Sequence, residues 1–232
     1  MPSLKYVGLF LIIIIFGILF VPKIIDRINS NSVVDTSRSQ SAEPLNYIVL
    51  NDKAKKVPSF VFENQDRLLI SNEDFLGKVY VAEFFFTSCP SICPIMNKNM
   101  KRIEDVYGAR TDFGIASFTI DPEHDTPEVL KEYAEDYEVF SQNWHFLTGQ
   151  KNEIYALANT GFNIFASINP KVEGGFEHQG YFALIDQNGF IRSRRDNYGN
   201  PSVYYMGIDQ EDIEEQGVDQ LLFDIEKLLN EK

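Results

Sequence analysis

Short apolar runs and helical spacings alternate along the chain after about residue 45. The longest apolar run in this region, Val79 to Phe86, is typical of a central strand that is buried on both faces of a sheet. The residues after it show the spacing of one helix face, and Gly108 ends that pattern. The spaced positions are Ile92, Met96, Met100, Ile103 and Tyr107. A buried strand followed by an amphipathic helix predicts an α/β domain.

Later patterns continue this alternation and add two hairpins. Thr126 is a predicted helix N-cap, with Pro127 in the first helical position. The turn sequence Asp186-Gln187-Asn188-Gly189 separates two apolar runs and predicts a hairpin. We predict strands at 57–62, 68–70, 113–120, 144–147, 181–185 and 190–194, and helices at 126–137, 153–158 and 209–229. The order predicts a mixed α/β sandwich, in which residues 63–66 form the turn of the first hairpin.

The first 28 residues differ from the rest and predict a single-pass membrane anchor. Tyr6 to Pro22 carries no charge, and as a helix it would span about 25 Å of the roughly 30 Å hydrocarbon core. Ile24 and Ile25 extend the run if Lys23 reaches the interface. No small-residue cleavage site follows Val21, which favours an uncleaved anchor over a secretory signal peptide.

A serine-rich segment follows the predicted anchor. Residues 29–44 contain five serines and little to bury, so we predict a flexible tether there and a folded domain at 45–232. Basic residues flank the apolar run on both sides, with Lys5 before it and Lys23 and Arg27 after it. The count of positive charges therefore leaves the membrane orientation open.

Composition excludes several classes of protein. The chain is 44% hydrophobic, which is typical of a folded protein, and its net charge of −13 disfavours binding to nucleic acid. It has only two cysteines, Cys89 and Cys93. Neither a disulfide-stapled scaffold nor a four-cysteine zinc site is therefore compatible with this sequence.

The two cysteines lie where the buried strand gives way to a helix. Cys89 and Cys93 are four residues apart, so on a helix both sulfur atoms would face one point. A helix N-terminus lowers the pKa of a thiol, and both metal binding and disulfide exchange require the thiolate. Two thiolates suit Cu(I) or Zn(II) better than hard cations. We therefore predict chemistry at this pair, rather than simple burial, and leave its type open at this point.

Three motifs in order carry a resemblance to a known family. They are FFFTSCPSICP at 84–94, SFTIDPEHDTPEVLKEYAEDY at 117–137 and WHFLTG at 144–149. They are similar to the F-T-x-C-P-x-x-C-P, T-x-D-P-x-x-D-T-P and W-x-x-L-T-G motifs of the SCO/SenC family. This family comprises membrane-anchored, thioredoxin-like copper chaperones for cytochrome c oxidase assembly. The resemblance covers nearly all of residues 50–195 and includes the anchor and tether.

The resemblance implies a thioredoxin-like fold and a set of metal ligands. It places them at Cys89, Cys93 and His178, eight residues before Asp186. These would hold one copper ion per chain, as Cu(I) or, with an added ligand, as Cu(II). Glu177 stands where the family usually has aspartate, which retains the carboxylate on a longer arm. Two glycines at 174 and 175 predict a mobile loop around the histidine, which would help metal release.

The remaining candidate donors are predicted to be structural. We expect His124 to be a surface loop residue and His145 to be a sheet residue. The helical spacing of Met96 and Met100 predicts core positions. Asp121 and Asp125 are predicted turn and cap residues beside the site, and the acidic stretch 211–215 is predicted to be the solvated start of the last helix.

The function implied by the resemblance is a copper metallochaperone that delivers copper to a cytochrome c oxidase subunit or another copper-accepting protein. The alternative is a membrane-tethered thiol–disulfide oxidoreductase that cycles Cys89 and Cys93 to keep the copper-ligand cysteines of a partner reduced. Enzyme activity therefore stays open, and a peroxidase is more distant. Typical oxidoreductases of this fold have a C-x-x-C motif and a proline where this chain has Gly180, and they do not need His178. We expect no small-molecule substrate and a location at a bacterial inner membrane, with the domain on the periplasmic side.

Overall fold

A computed structural model describes residues 44–195, 199–211, 213 and 215–231, together with Phe16, Phe20 and Val21. Residues Pro44–Lys232 form one compact unit. Apart from those three residues and Pro44, the predicted anchor at 1–28 and tether at 29–44 lie outside the described residues. Within the described part of the chain, no helix has both the length and the apolar character needed to cross a bilayer.

The described residues of this unit form four helices and fourteen strands. The helices are α1 (Cys93–Tyr107), α2 (Pro127–Asp136), α3 (Lys151–Ala156) and α4 (Gly217–Asn230). The strands are β1 (Asn46–Tyr47), β2 (Val49–Leu50), β3 (Lys53–Ala54), β4 (Val61–Asn64), β5 (Leu69–Ser71), β6 (Val79–Phe85), β7 (Phe113–Thr119), β8 (Trp144–Thr148), β9 (Ala166–Ile168), β10 (Phe176–His178), β11 (Tyr181–Ile185), β12 (Ile191–Arg195), β13 (Pro201–Ser202) and β14 (Tyr205–Met206). A 3-10 turn covers Asn72–Phe75, and a π-helical turn covers Leu157–Phe162.

A mixed sheet runs through the centre of the unit, as the sequence predicts. Its strand order is β1-β12-β11-β6-β7-β8-β4-β5, with β13 paired to β12 and β14 to β11. β6, β7 and β8 are parallel, because α1 and α2 serve as the crossovers between them, whereas β11, β12 and β4 pair antiparallel. Every residue of β6 and β7 is buried, which confirms the prediction that this apolar run is a central strand.

Helix α1 packs its predicted face into the core. Met96, Met100 and Ile103 have no exposed surface, and the methionines are core residues as predicted. Helix α2 begins as predicted, because the Thr126 side chain accepts from the backbone amide of Val129 and Pro127 follows in the first turn.

Two helix boundaries differ from the predictions. α4 begins at Gly217 rather than at 209, because the Gln216 side chain bonds the backbone of Gln210 and Ile213 and draws that segment into a loop. The exposed Glu211 therefore precedes the helix instead of starting it. The predicted helix at 153–158 instead runs from 151 to 156 and continues as the π-helical turn, which ends at a left-handed Asn163.

The chain also forms short strands that its pattern did not predict. β9 and β10 are three residues each and pair antiparallel as a separate two-stranded sheet, which we call the ribbon. His178 therefore lies on a strand, whereas we predicted a mobile loop around it. Runs this short carry too few alternating positions to be recognised from sequence.

One ionisable residue interrupts the apolar central strand. Glu83 is fully buried on β6, where its Oε1 accepts a hydrogen bond of 2.7 Å from the Ser117 hydroxyl. Burial raises the pKa of this carboxyl from its usual 4.5 to about 7, and the Ser117 bond lowers it by less. Its ionised form is therefore disfavoured in the folded protein relative to the unfolded chain.

We expect this carboxyl to make the stability of the protein pH-dependent. Because the pKa of Glu83 is raised in the folded state, its contribution to the free energy of unfolding is fully present below pH 4.5. That contribution is lost as the pH rises to about 7. Glu83→Gln removes this titration. The difference in free energy of unfolding between the variant and the unmodified protein should therefore shift in favour of the variant by up to about 3 kcal/mol between pH 4 and pH 8.5. Urea denaturation at several pH values measures this, and parallel profiles for the two proteins would contradict it.

Candidate metal centre

The two cysteines lie at the carboxyl end of β6, in the turn that leads into α1. Cys93 is the first residue of α1, whereas Cys89 precedes the helix in the turn. The two sulfurs converge as predicted, but through this turn rather than along one helix face. Cys89 Sγ accepts a hydrogen bond from the Cys93 backbone amide at 3.5 Å, and so occupies the helix N-terminus that no cap residue fills. Both cysteines are buried and are not joined in a disulfide.

The ribbon brings the histidine to the cysteines from a distant part of the chain. Its strands place His178 opposite Ala166 and Phe176 opposite Ile168, so these four side chains share one face. The Phe176 ring lies 5.1 Å from the Phe86 ring, and the His178 ring lies 5.8 Å from it. Packing against the end of β6 therefore sets the position of the imidazole.

Gly174 is required for the ribbon to approach the cysteine turn. Its backbone has a φ of +83°, which favours glycine. A Cβ atom here would also lie 3.1 Å from the Phe86 ring and 3.1 Å from Pro90. A larger residue would push the ribbon, and His178 with it, away from the sulfurs.

Three potential ligand atoms meet at one point. The sulfur atoms of Cys89 and Cys93 and a ring nitrogen of His178 all lie within 4.8 Å of one another. The distance from Cys93 Sγ to His178 Nε2 is 3.2 Å. Within the described residues this is the one cluster of three such donors. Two sulfurs and one imidazole are a soft donor set, which suits Cu(I) or Zn(II) and does not suit hard cations.

The site assigns different protonation to its two thiols. Hydrogen bonds from Cys93, His178 and backbone amides lower the pKa of the Cys89 thiol. Burial, followed by the adjacent Cys89 and the Glu83 charge, raises the pKa of the Cys93 thiol. Ionisation is therefore favoured at Cys89 and opposed at Cys93. A thiolate at Cys89 is ready for a metal or for attack on a disulfide.

Asp125 holds the start of the cysteine turn in place through hydrogen bonds, a role that we did not predict. Its carboxylate is fully buried and accepts hydrogen bonds from the Thr87 backbone amide at 3.1 Å, from the Thr87 and Thr119 hydroxyls, and from His124 Nδ1. Thr87 is two residues before Cys89. The helix cap is Thr126, so Asp125 is a buried clamp rather than a cap residue. The one sequence signal for this role of Asp125 is its position in the motif at 117–137.

The other two histidines lie where they were predicted, His124 in a surface loop and His145 in the sheet. His124 is more than half exposed in the loop before α2. His145 is on β8, where its Nδ1 lies 3.2 Å from the Asn64 side-chain amide, and burial lowers its pKa to about 4. Glu177 Oε1 accepts from Asn169 at 2.7 Å, which turns its carboxylate toward the ribbon's own turn. Among the described residues, no hydrogen-bond partner reaches the buried His178 Nδ1.

A family model and curated relatives match this chain. The SCO1/SenC family model matches residues 49–211. The SCO1 protein homolog of Bacillus subtilis (strain 168) is 37% identical over 154 residues, which is 66% of this chain and 75% of that protein. The family-model match spans both cysteines and His178, since all three lie within 49–211.

Solved structures share the fold. BsSco, described as a member of the Sco family of cytochrome c oxidase assembly proteins and as having a disulfide switch, matches with a TM-score of 0.61 and 31% identity over 77% of this chain and 95% of that one. ScoI of Bradyrhizobium japonicum, solved with copper bound, matches with a TM-score of 0.56 over 75% of this chain and 99% of that one. Its 19% identity shows the common fold alone. The thioredoxin-like α/β fold is thereby confirmed.

Proposed function

The chain belongs to the SCO1/SenC family, and from this premise we propose that it is a copper metallochaperone whose site is Cys89, Cys93 and His178. The observation that carries the proposal is the meeting of these three donor atoms within 4.8 Å. Copper is bound in the structure of ScoI, and BsSco is described as an oxidase assembly protein. Copper is the cargo here, to be bound and handed on.

The donor set supports copper over other soft metals. Two thiolates and one imidazole satisfy the three-coordinate geometry of Cu(I), whereas structural zinc usually takes four protein ligands. Cys89 is available as thiolate, and Cys93 gives up its proton when a cation arrives between the sulfurs. The imidazole binds through Nε2, which already faces the Cys93 sulfur. We expect one copper ion per chain.

Delivery requires a partner and a location. We propose that the acceptor is a copper-binding subunit of cytochrome c oxidase or a similar protein, and that residues 1–28 anchor the domain on the outer side of a bacterial inner membrane. The net charge of −13 favours an acceptor with a basic surface around its copper ligands. Protease treatment of spheroplasts tests the location: the domain should be digested without lysis.

Copper titration of the full chain in detergent, reduced and metal-free, tests the binding proposal. A stoichiometry near one, in competition with a Cu(I) chelator, is the expected result. Failure to compete for Cu(I) at any concentration would contradict the proposed function.

His178→Ala is expected to weaken Cu(I) binding without abolishing it. Loss of a hydrogen-bond partner of a ligand typically lowers metal affinity roughly 10–100-fold, and loss of the ligand itself should lower it at least as much. The two thiolates should still hold the ion. Chelator competition measures the change. His124→Ala is the matched control, because that imidazole is more than half exposed and is not one of the three donors. Its loss leaves Asp125 with its bonds from Thr87 and Thr119. Equal affinity in the His178 variant and the unmodified protein would end the three-ligand proposal.

A thiol–disulfide oxidoreductase is the second candidate. The stabilised Cys89 thiolate beside a second thiol favours it, as does the disulfide switch described for BsSco. A turnover assay with a disulfide substrate separates the two functions. Rapid turnover that survives His178→Ala would place the redox function first, because disulfide exchange does not need the imidazole as a metal ligand.

A further inference from the structure

The first hairpin of the domain carries exposed apolar side chains. Its strands, β2 and β3, form a separate two-stranded sheet that pairs Val49 with Ala54 and Leu50 with Lys53. A two-residue turn in which both φ angles are positive joins them, as is typical of a tight hairpin. Val49 is 60% exposed and Leu50 is 50% exposed. Both aliphatic side chains therefore project from the domain instead of entering its core.

Two aromatic rings and a second lysine extend this exposed surface. The Tyr47 ring lies 5.5 Å from the Phe190 ring, edge to face, and Tyr47 is also exposed. The Lys56 ammonium lies over the Phe190 ring, 5.6 Å from its centre. Lys56 and Phe190 are also partners in an isolated β-bridge, which fixes the ring beside the hairpin. We call the whole surface the hairpin patch; its residues are Tyr47, Val49, Leu50, Lys53, Lys56 and Phe190.

The charge of this segment is opposite to that of the whole chain. Residues 44–62 contain three lysines and one acidic residue, Asp52, whereas the chain carries a net charge of −13. Lys53 and Lys56 are exposed, and the third ammonium, that of Lys55, donates to Asn163 Oδ1 at 2.6 Å. Exposed aliphatic groups beside exposed lysines fit a surface that is negatively charged outside and apolar beneath. The interface of an anionic phospholipid bilayer has this character.

The hairpin patch lies at the end of the central sheet opposite the copper ligands. The cysteines follow the carboxyl end of β6, whereas Ile185 pairs with Tyr80 at its beginning, so the turn at 186–189 lies at that other end. The Val57 amide, just after the hairpin, donates to the Gly189 carbonyl in this turn at 2.9 Å. The length of β6 separates the two ends by about 23 Å.

We propose that the hairpin patch docks the domain on the surface of an anionic phospholipid bilayer. The aliphatic side chains of Val49 and Leu50 enter the interface, and Lys53 and Lys56 pair with lipid phosphates. A second copy of this chain fits less well, because a two-fold contact between identical patches would bring lysines against lysines. The docking rests on the patch alone, whereas its consequence for copper delivery rests on the proposed function.

The proposed anchor at 1–28 would keep the patch within reach of the bilayer. Fifteen residues, 29–43, separate it from Pro44, and a chain of that length spans at most about 50 Å. Docking is then an intramolecular event, so a patch of modest affinity suffices. Because the patch and the ligands lie at opposite ends of β6, docking turns the copper site away from the lipid and toward an acceptor in the aqueous phase.

Tryptophan fluorescence in nanodiscs tests the docking. Trp144, the one native tryptophan, has no exposed surface, so the tryptophan of Leu50→Trp reports contact with lipid. The full chain is placed in discs of phosphatidylcholine, or of phosphatidylcholine and phosphatidylglycerol in equal parts, with brominated acyl chains as quenchers. Quenching should be at least about two-fold stronger in the anionic discs and should fall at high salt.

Leu69→Trp is the matched control for the tryptophan itself. Leu69 is 73% exposed on β5, at the opposite edge of the same sheet, and should not be quenched in either disc. Absence of quenching in Leu50→Trp, or equal quenching in the two variants, would overturn the proposal. So would a Leu50→Trp spectrum that changes with protein concentration in detergent and not with lipid, which would place a second copy on the patch.

Lys53→Gln combined with Lys56→Gln, in the Leu50→Trp chain, tests the role of charge. Each lysine at an anionic surface contributes about five-fold, so docking on the anionic discs should weaken about 25-fold. Lys98→Gln combined with Lys171→Gln is the control with the same change in net charge, since both lysines are exposed elsewhere. Equal docking in the two double variants would contradict the pairing with lipid phosphates.

The same experiment separates this inference from the proposed function. If the chain leaves the discs as soluble protein, the proposed anchor is wrong, and quenching of Leu50→Trp by added vesicles of the anionic mixture decides the patch. Quenching by those vesicles would support the docking, and its absence would overturn it. If the chain stays in the discs and is quenched but binds no Cu(I), the copper function fails and the docking is supported.

Discussion

Cu(I) binding is expected to be lost in Cys93→Ser, and equally in Cys89→Ser. A serine hydroxyl stays protonated at neutral pH and is a hard donor, so neither variant keeps more than one soft anionic ligand. The fall in affinity should exceed the roughly 10–100-fold typical of an outer-sphere change. It should also exceed the effect of His178→Ala, because each sulfur contributes both a bond and a negative charge. Competition with a Cu(I) chelator measures the three affinities on one scale.

The turn between the cysteines offers a matched control. Ser91 Oγ lies 3.8 Å from Cys89 Sγ, so Ser91→Ala changes the same turn without removing a ligand. Its Cu(I) affinity should stay within a few-fold of the unmodified protein. Retention of stoichiometric Cu(I) in either cysteine variant would show that the metal sits elsewhere and would refute the assigned site.

Asp125→Ala is expected to lower the free energy of unfolding by about 3–4 kcal/mol, a large part of the typical stability of a domain. The substitution removes the acceptor for the amide and hydroxyl of Thr87 and for the buried hydroxyl of Thr119. Buried donors left without partners each cost roughly 1–3 kcal/mol. Because Thr87 begins the cysteine turn, Cu(I) affinity should fall as well, although Asp125 is not a ligand.

Asp121→Ala provides the comparison for this variant. Asp121 lies in the same loop and is partly exposed, and its backbone amide, which the substitution keeps, donates to Thr119 Oγ1. Urea denaturation should show a loss below about 1 kcal/mol for Asp121→Ala. Equal losses for the two variants would mean that Asp125 does not clamp the turn.

The parts of the site that depend on local sequence were predictable, and the parts that depend on distant pairing were not. Cys89 and Cys93 stand in one short motif at the end of an apolar run, so both the strand and its junction with α1 could be read from the chain. His178 is 85 residues after Cys93 and reaches it through two strands of three residues each. Spacing alone does not predict such a meeting; here the resemblance to the family supplied it.

Hydrogen bonds made by side chains explain the other differences between the predictions and the structure. The acidic stretch before α4 has the composition of a helix start, but Gln216 bonds the backbone on its N-terminal side and delays the helix to Gly217. Asp125 resembles a turn residue in sequence, and its role depends on Thr87, 38 positions earlier. In the first case a nearby side chain, and in the second a partner distant in the sequence, outweighs the intrinsic preference of the segment.

The ribbon shares no backbone ladder with the central sheet in the described part of the chain. Bending it would withdraw the imidazole while the rigid end of β6 keeps both sulfurs in place. On the proposed function, an acceptor would then enter at the vacated coordination position, and the ion would pass through a shared intermediate bound to both proteins without release to solvent. Transfer would depend on docking, and free chelators of similar strength would remove the ion more slowly than the correct acceptor.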